Sequence, residues 1–291
     1  MKELNISKSI LSISSPGTHL KPMDDSAGAK MTRSANEELS AVCASQPEHF
    51  RFFASLPLPS VPDSLKEIDY AIDHLGAVGF VLLSNANGVY LGDKTLDPVF
   101  AKFNERKAIV FMHPTTCNLI SPPGLGDGIQ AVKPLRQFPR PMMEFMFDET
   151  RAVANLLLSG TVAKYPHIKF IMSHCGCALP PLLDRVGAFS ALIGAADNQS
   201  EEFKSLLKER FFFDLAGVPF PDQIHGLMST LGKSGVQRLL YGSDYCFTPV
   251  KSVIGLASAM DKGCEELFGQ EGMKAVYSGN AAKLFGISAI L

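Results

Sequence analysis

The sequence has no run of eighteen apolar residues, so nothing in it reads as a membrane-spanning helix. It has no charged, apolar and small-residue leader, so no secretory signal peptide is expected. An excess of either charge is also missing. The 27 Lys and Arg against 29 Asp and Glu leave a formal net charge of −2, and the basic residues are scattered, which excludes a nucleic-acid footprint. Six cysteines in 291 residues are too few for a disulfide scaffold. Reduced thiols in a cytoplasmic protein are the expectation. No Pro/Ser-rich linker, repeat or low-complexity tract divides the chain, so one domain over 1–291 is expected.

What the sequence does have is apolar substance: 46% hydrophobic residues against 19% charged, the balance of a globular protein with an ample core. Seven runs read as strands: "KSILSISS", "FRFFASLPL", "AVGFVLLS", "AIVFMHP", "IKFIMSHC", "RFFFDLAG" and "RLLYGSD". Between them lie helical patterns. "DSLKEIDYAIDHLG" places Leu65, Ile68, Ile72 and Leu75 close to a 3.6 period, and "DETRAVANLLLSG" and "PDQIHGLMSTLG" end at Gly160 and Gly232. Strands apolar on both faces and separated by helices imply a parallel α/β sheet. A barrel of this kind needs eight strand-helix units of ~30 residues, and seven are counted. The opening "MKELNI" reads as the tail of a helix, so the expected architecture is a (β/α)8 TIM-type barrel without its first unit. An open doubly wound sheet is the alternative. The Pro- and Gly-rich segment 115–142 reads as an active-site loop.

Polar residues gather at the ends of these strands. "IVFMHP" delivers His113, "KFIMSHCG" His174, "FFFDLAG" Asp214 and "LLYGSD" Asp244, while "ILSISSPGTHL" reaches Ser14, Ser15 and His19. In a barrel the carboxyl ends of the strands carry the chemistry. Imidazole and carboxylate groups on such a rim suit a divalent metal of the zinc or manganese type, with a neutral histidine able to relay protons. Each residue also has a structural reading. His113 before Pro114 could be a hydrogen-bonded strand-end histidine. Asp214, one step inside its strand, reads as a structural carboxylate bonded to its neighbours. His49, His74, His167 and His225 read as structural, and Cys175, Cys177 and Cys246 as packing residues. "GLGDG" at 124–128 follows a Pro-Pro turn instead of a strand and is set aside as a phosphate loop.

"VFMHPT", "FDETRAVANLLLSGTVAKYPHIKFIMSHCGCALPPLLDRV", "LLYGSDYCFTP" and "SGNAAKLFG", in that order, resemble the amidohydrolase-related decarboxylases. This is the branch of aminocarboxymuconate-semialdehyde decarboxylase, γ-resorcylate decarboxylase and 6-methylsalicylate decarboxylase. "SISSPGTHL" and "FDETRAVANLLLSG" look closest to the last of these. The resemblance runs nearly the whole chain and is strongest from residue 109. It implies a homodimeric, divalent-metal barrel enzyme (Zn2+ or Mn2+) that removes CO2 from a small aromatic carboxylic acid. By motif, His113 and Asp244 are metal ligands, with Asp244 also near the carbon to be protonated. His174 is the acid/base, and Arg185 is the arginine that reaches a substrate carboxylate across a dimer interface. Phe145, Phe147 and Phe220 are candidate pocket aromatics, with core packing as the alternative for each.

The sequence departs from the family pattern in three places. His174-Cys175-Gly176-Cys177 stands where His-x-Gly-Gly is common, and Cys246 stands where a Pro is common. The strand that carries an H-x-H or E-x-H ligand pair in the family is not found in this sequence, with only Glu3 and His19 available in its place. The expectation is then an impaired family reaction, or a non-catalytic homologue. Hydrolysis of a lactone or amide by metal-activated water is the alternative enzyme reading.

Overall fold

Strands form where the sequence is apolar on both faces. In the computed structural model, which describes residues 1, 4–21, 24–121 and 128–287, each of the seven apolar runs carries one. The chain packs as two compact units, Lys8–Phe170 and Met1–Ser7 with Ile171–Leu291. Glu3 and residues 124–127 of "GLGDG" lie outside the described residues.

In the unit Lys8–Phe170, the strands Ser9–Leu11, Phe50–Ala54, Gly79–Leu83 and Ile109–His113 pair in that order, all parallel. Leu83 stands opposite His113, so the register brings both strands to their polar ends together. Close approach is built in at Gly79, where a Cβ would lie 2.5 Å from the Ile109 carbonyl. Helices Val61–Asp73, Asp97–Glu105 and Glu144–Leu158 follow the strands. Proline in the first turn of the first two costs nothing, because those N–H groups have no helical partner. Ile68, Phe80, Leu82, Phe100, Phe103 and Leu156 are all sealed from solvent, and the rings of Phe80 and Phe103 meet at 5.0 Å between centroids.

The helix Asp25–Ser45 has a different kind of inner face, made of Gly28, Thr32 and Asn36. Asn36 Nδ2 donates to the Ser55 carbonyl at 3.0 Å and to Glu67 Oε1 at 2.8 Å, and its Oδ1 accepts the Ser55 N–H at 2.8 Å. Arg33 pairs with the same Glu67 at 2.8 Å. This helix is therefore held by polar pairing where others are held by apolar burial. Gly28 has no room for a side chain: a Cβ would sit 2.0 Å from Cδ2 of His19. The segment 115–142, expected as a loop, carries an antiparallel ribbon of Asn118–Ile120 against Ile129–Ala131 and a helical turn at Arg140–Met142.

In the other unit, Phe211–Asp214 pairs in parallel with Leu239–Leu240, and the Leu215 N–H continues the ladder to the Leu240 carbonyl at 2.9 Å. Helices Leu179–Leu192, Ser200–Arg210, Gln223–Leu231 and Val250–Lys274 pack around this pair. Phe220 presses against Gly263 of the last helix, where a Cβ would come within 2.3 Å of its ring. This contact fits the packing role. None of the six cysteines forms a disulfide.

Candidate functional site

The unit Ile171–Leu291 gathers three of the sequence-selected residues around one buried carboxylate. Asp214 ends its strand at 8% exposure, and its Oδ1 accepts the backbone N–H groups of Ala216 at 2.9 Å and His174 at 3.1 Å. Burial pushes the Asp214 carboxyl above the ordinary carboxylate range. The charge of His174 and the two backbone bonds oppose that shift, and the charge of Asp244 reinforces it. Asp214 is thus the hydrogen-bonded carboxylate expected from its place inside the strand. Gly242 lets the next strand end approach it, since a Cβ there would lie 3.1 Å from Oδ1.

His174 and Cys175 have left-handed backbones, with φ of 50° and 56°, and Cys177 follows at 53°. Side chains rarely accept this geometry, so the surroundings must hold it. Asp214 holds it from one side, and Gln223 from the other, its Nε2 donating to the carbonyls of His174 at 2.8 Å and Cys177 at 3.3 Å. Nδ1 of His174 faces the Ala216 carbonyl at 3.4 Å, so this nitrogen carries a hydrogen. Asp244 is half-buried with φ of 51°, and its Oδ2 accepts the Thr248 hydroxyl at 3.4 Å. Cys175 is sealed from solvent, and burial keeps its thiol protonated.

Arg185 stands elsewhere in that unit, on the exposed side of helix Leu179–Leu192, its guanidinium 5.4 Å from the Phe189 ring centroid. Leu182, Phe189 and Leu192 share its face at helical spacing, and all are exposed, as is Ile193 just beyond.

In the unit Lys8–Phe170, His113 is half-buried at the end of its strand. Its Nδ1 donates to the Pro114 carbonyl at 2.8 Å, fixing the tautomer with the lone pair on Nε2. Phe145 meets its ring edge-on at 6.4 Å. The same unit contains a cavity of about 400 Å3 lined by strand ends and by Thr115, Thr116, Asn118, Ile129, Ala131 and Arg140. Leu56, Val81, Leu82 and Leu83 supply apolar wall, and Ser55, Asn85, Thr115 and Asn118 supply polar atoms. His19 lines it too, donating through Nε2 to Asp25 at 3.1 Å while Nδ1 accepts from Asn87 at 3.0 Å.

Sequence reasoning missed Asp148, whose side chain is fully buried. It accepts from Asn85 Nδ2 at 2.9 Å, from the Ser84 hydroxyl and from the Tyr90 phenol, and pairs with Arg151 at 3.5 Å. Burial, and then the hydrogen bond to Asp148, hold the Tyr90 phenol protonated. Asn85 in turn donates to the Thr116 carbonyl at 2.9 Å and accepts from Asn118 Nδ2 at 3.2 Å. Asp148 therefore anchors one side of the cavity. A signal was present: Asp148, Ala152 and Leu156 fall four apart, putting an acid on the apolar face of its helix.

A metal imposes a stricter test. His113 and Asp244 carry donor atoms of the right type, but tight sites use three or four ligands. Among the described residues, no group of three or more His, Cys, Asp or Glu is arranged to hold a metal ion. The described donors do not make a complete site.

Comparison with known proteins then decides the family. An amidohydrolase family model matches residues 13–287. The chain belongs to the amidohydrolase family. It is 33% identical over 284 residues to decarboxylase macB of Penicillium terrestre, covering 95% of this chain and 80% of that one. It is 30% identical over 290 residues to 6-methylsalicylic acid decarboxylase of Penicillium expansum, covering 98% and 83%. The fold of this amidohydrolase is also that of a dihydroxybenzoic acid decarboxylase from Polaromonas, solved with bound manganese and an inhibitor. The TM-score is 0.78 at 21% identity, with 98% and 83% of the two chains covered. The resemblance seen in "VFMHPT" and "FDETRA" is thereby borne out. Among the described residues, no helix is long and apolar enough to cross a membrane.

Proposed function

We propose that this amidohydrolase is a non-oxidative decarboxylase of a small aromatic carboxylic acid of the 6-methylsalicylate type, working as one domain over 1–291. The observation that carries the reading is His174, held in a left-handed backbone by Asp214, in a chain whose curated relatives are decarboxylases. In the reaction a proton adds to the ring carbon that bears the carboxylate. The bond to the carboxyl carbon then breaks, its electron pair restores the aromatic ring, and CO2 leaves.

His174 is assigned as the acid/base and Asp244 as the proton donor to that carbon. The positions Asp214 and Gln223 are the orienting groups for His174, fixing its backbone on two sides. His113 and Asp244 are assigned as donors to a divalent metal, zinc or manganese; two donors alone hold such an ion weakly. Arg185 is assigned to the substrate carboxylate of a partner subunit. The exposed apolar stripe of its helix supports a homodimer, and a cysteine content too low for a disulfide scaffold supports a cytoplasmic setting.

The test is CO2 release from 6-methylsalicylate with added Mn2+ or Zn2+, alongside metal analysis of the purified chain. CO2 evolution that disappears in His174→Ala supports the assignment. A folded protein that evolves none at any metal concentration removes it.

A further inference from the structure

The stretch "SGNAAKLFG", at 278–286, has no part in the chemistry assigned above, yet it holds the strand that leads to Asp244. Leu239–Leu240 is only two residues long, and among the described residues its strand partner is Phe211–Asp214. Successive residues of a strand turn their N–H and C=O groups to opposite edges. The Leu240 carbonyl faces the edge of that partner, where it accepts the Leu215 N–H at 2.9 Å. Leu239 and Tyr241 turn to the other edge, and there the end of the chain meets them. Asn280 Nδ2 donates to the Leu239 carbonyl at 2.8 Å, and the Val276 carbonyl accepts the Tyr241 N–H at 3.1 Å. A donor followed by an acceptor is the pattern that a neighbouring strand would present.

The Asn280 side chain has one orientation open to it. It is buried, and its Nδ2 donates a second bond, to the Val236 carbonyl at 2.8 Å. Its Oδ1 is buried without a hydrogen-bond partner. Turning the amide over would set that oxygen against two carbonyls. The residue thus keeps both donors on the strand while an acceptor is left stranded, an unfavourable state in itself. It follows a widened helical turn, Ala275–Gly279, across which its N–H reaches back five residues to the Ala275 carbonyl. Tyr277 in that turn packs its ring 5.2 Å from that of Tyr241, and its phenol donates to Asp261 Oδ1 at 2.6 Å. Beyond Tyr241 only Gly242 and Ser243 precede Asp244, and Gly242 is pressed against Asp214 and Ala216. We infer that Asn280 is a positioning residue for Asp244. With the Val276 carbonyl it stands in for a neighbouring strand and fixes the strand end from which Asp244 is presented. The consequence for turnover rests on the decarboxylase reading, in which Asp244 gives the proton; the anchoring does not.

The test combines hydrogen exchange by mass spectrometry with steady-state CO2 release from 6-methylsalicylate and added Mn2+, on the full chain. Wild type is compared with Asn280→Ala and with Asn280→Asp, which keeps the shape but sets a carboxylate against the two carbonyls. In both variants exchange over 239–249 speeds roughly tenfold or more while Phe211–Asp214 stays protected. Their kcat falls roughly ten- to 100-fold, with KM held within about twofold. Leu207→Ala, which opens the core of the same unit at helix Ser200–Arg210, melts lower and moves neither readout. Exchange that is unchanged in the Asn280 variants, or faster by the same factor across the whole unit, overturns the inference. So does a wild-type kcat in a variant whose 239–249 exchange has sped up. Should neither variant fold, the wild type decides: in low urea 239–249 and 275–282 lose protection in one step, before Phe211–Asp214, and separate openings overturn the inference. A wild type that releases no CO2 removes the decarboxylase reading, and the exchange comparison still decides the anchoring.

Discussion

The backbone N–H of His174 donates to Oδ1 of Asp214 at 3.1 Å, across forty residues of sequence, and fixes a histidine whose φ is 50°. The carboxylate acts on the position of the imidazole through its backbone. Replacing Asp214 by Ala strands two buried N–H groups, those of His174 and Ala216, and is expected to cost roughly 2–5 kcal/mol in urea unfolding. Asp214→Asn keeps an oxygen acceptor and costs less. If Asp214→Ala unfolds at the wild-type urea midpoint, the two bonds do not hold this turn.

Asp148 supports a second prediction. Asp148→Ala leaves the donors of Ser84, Asn85 and Tyr90 without their shared acceptor, an expected loss of roughly 3–5 kcal/mol. Asn85 would also be released from one of its anchors beside the cavity. Unchanged stability would show that the cluster does not hold this part of the fold.

The exposed stripe on helix Leu179–Leu192 gives a third. Phe189→Glu and Leu192→Glu place charge on the apolar face that carries Arg185. Sedimentation equilibrium should show a dimer in the wild type and at least a tenfold weaker association in the double variant, with the melting temperature little changed. A monomeric wild type at high micromolar concentration would dispose of the interface.

Acid provides a fourth. Hydrogen bonds from Lys66 and Ser60 hold Asp63 below the usual carboxylate range, a hydrogen bond from Arg106 does so for Asp73, and one from Lys164 for Asp97. A depressed folded-state pKa stabilises the protein above the unfolded value, near 3.9, and that contribution is lost as the pH falls through the lowered values. The melting temperature should therefore drop on going below about pH 4, less steeply in Asp97→Asn. Equal slopes for Asp97→Asn and wild type would show that the Asp97–Lys164 pair contributes nothing.

Where burial is apolar, the sequence was a good guide to the fold. The runs at 79–83 and 109–113 announce strands because both their faces are covered, and the helix around 148–158 is legible through Val153, Leu156 and Leu157. None of the helical segments picked out by apolar periodicity falls at 25–45. Its inner face is Gly28, Thr32 and Asn36, and it is fixed by hydrogen bonds to Ser55 and Glu67, partners far away in sequence. The ribbon within 115–142 was hidden for a similar reason: three-residue strands carry too little alternation to stand out among prolines and glycines. His113, His174, Asp214 and Asp244 were visible because each ends an apolar run. Asp148 was not, since it sits within a helix.

Gly28 and His19 share one small volume, and this constrains the order in which the protein can change. A methyl group at position 28 collides with the imidazole, so alanine there is damaging while histidine remains at 19. Once position 19 shrinks, the same alanine becomes harmless and adds helical propensity, worth about 1 kcal/mol over glycine in a helix interior. Restoring histidine at 19 would then be the damaging step. The two sites form an epistatic pair with a ratchet: a lineage that has passed through the smaller residue loses its way back, together with the ring that now lines the cavity.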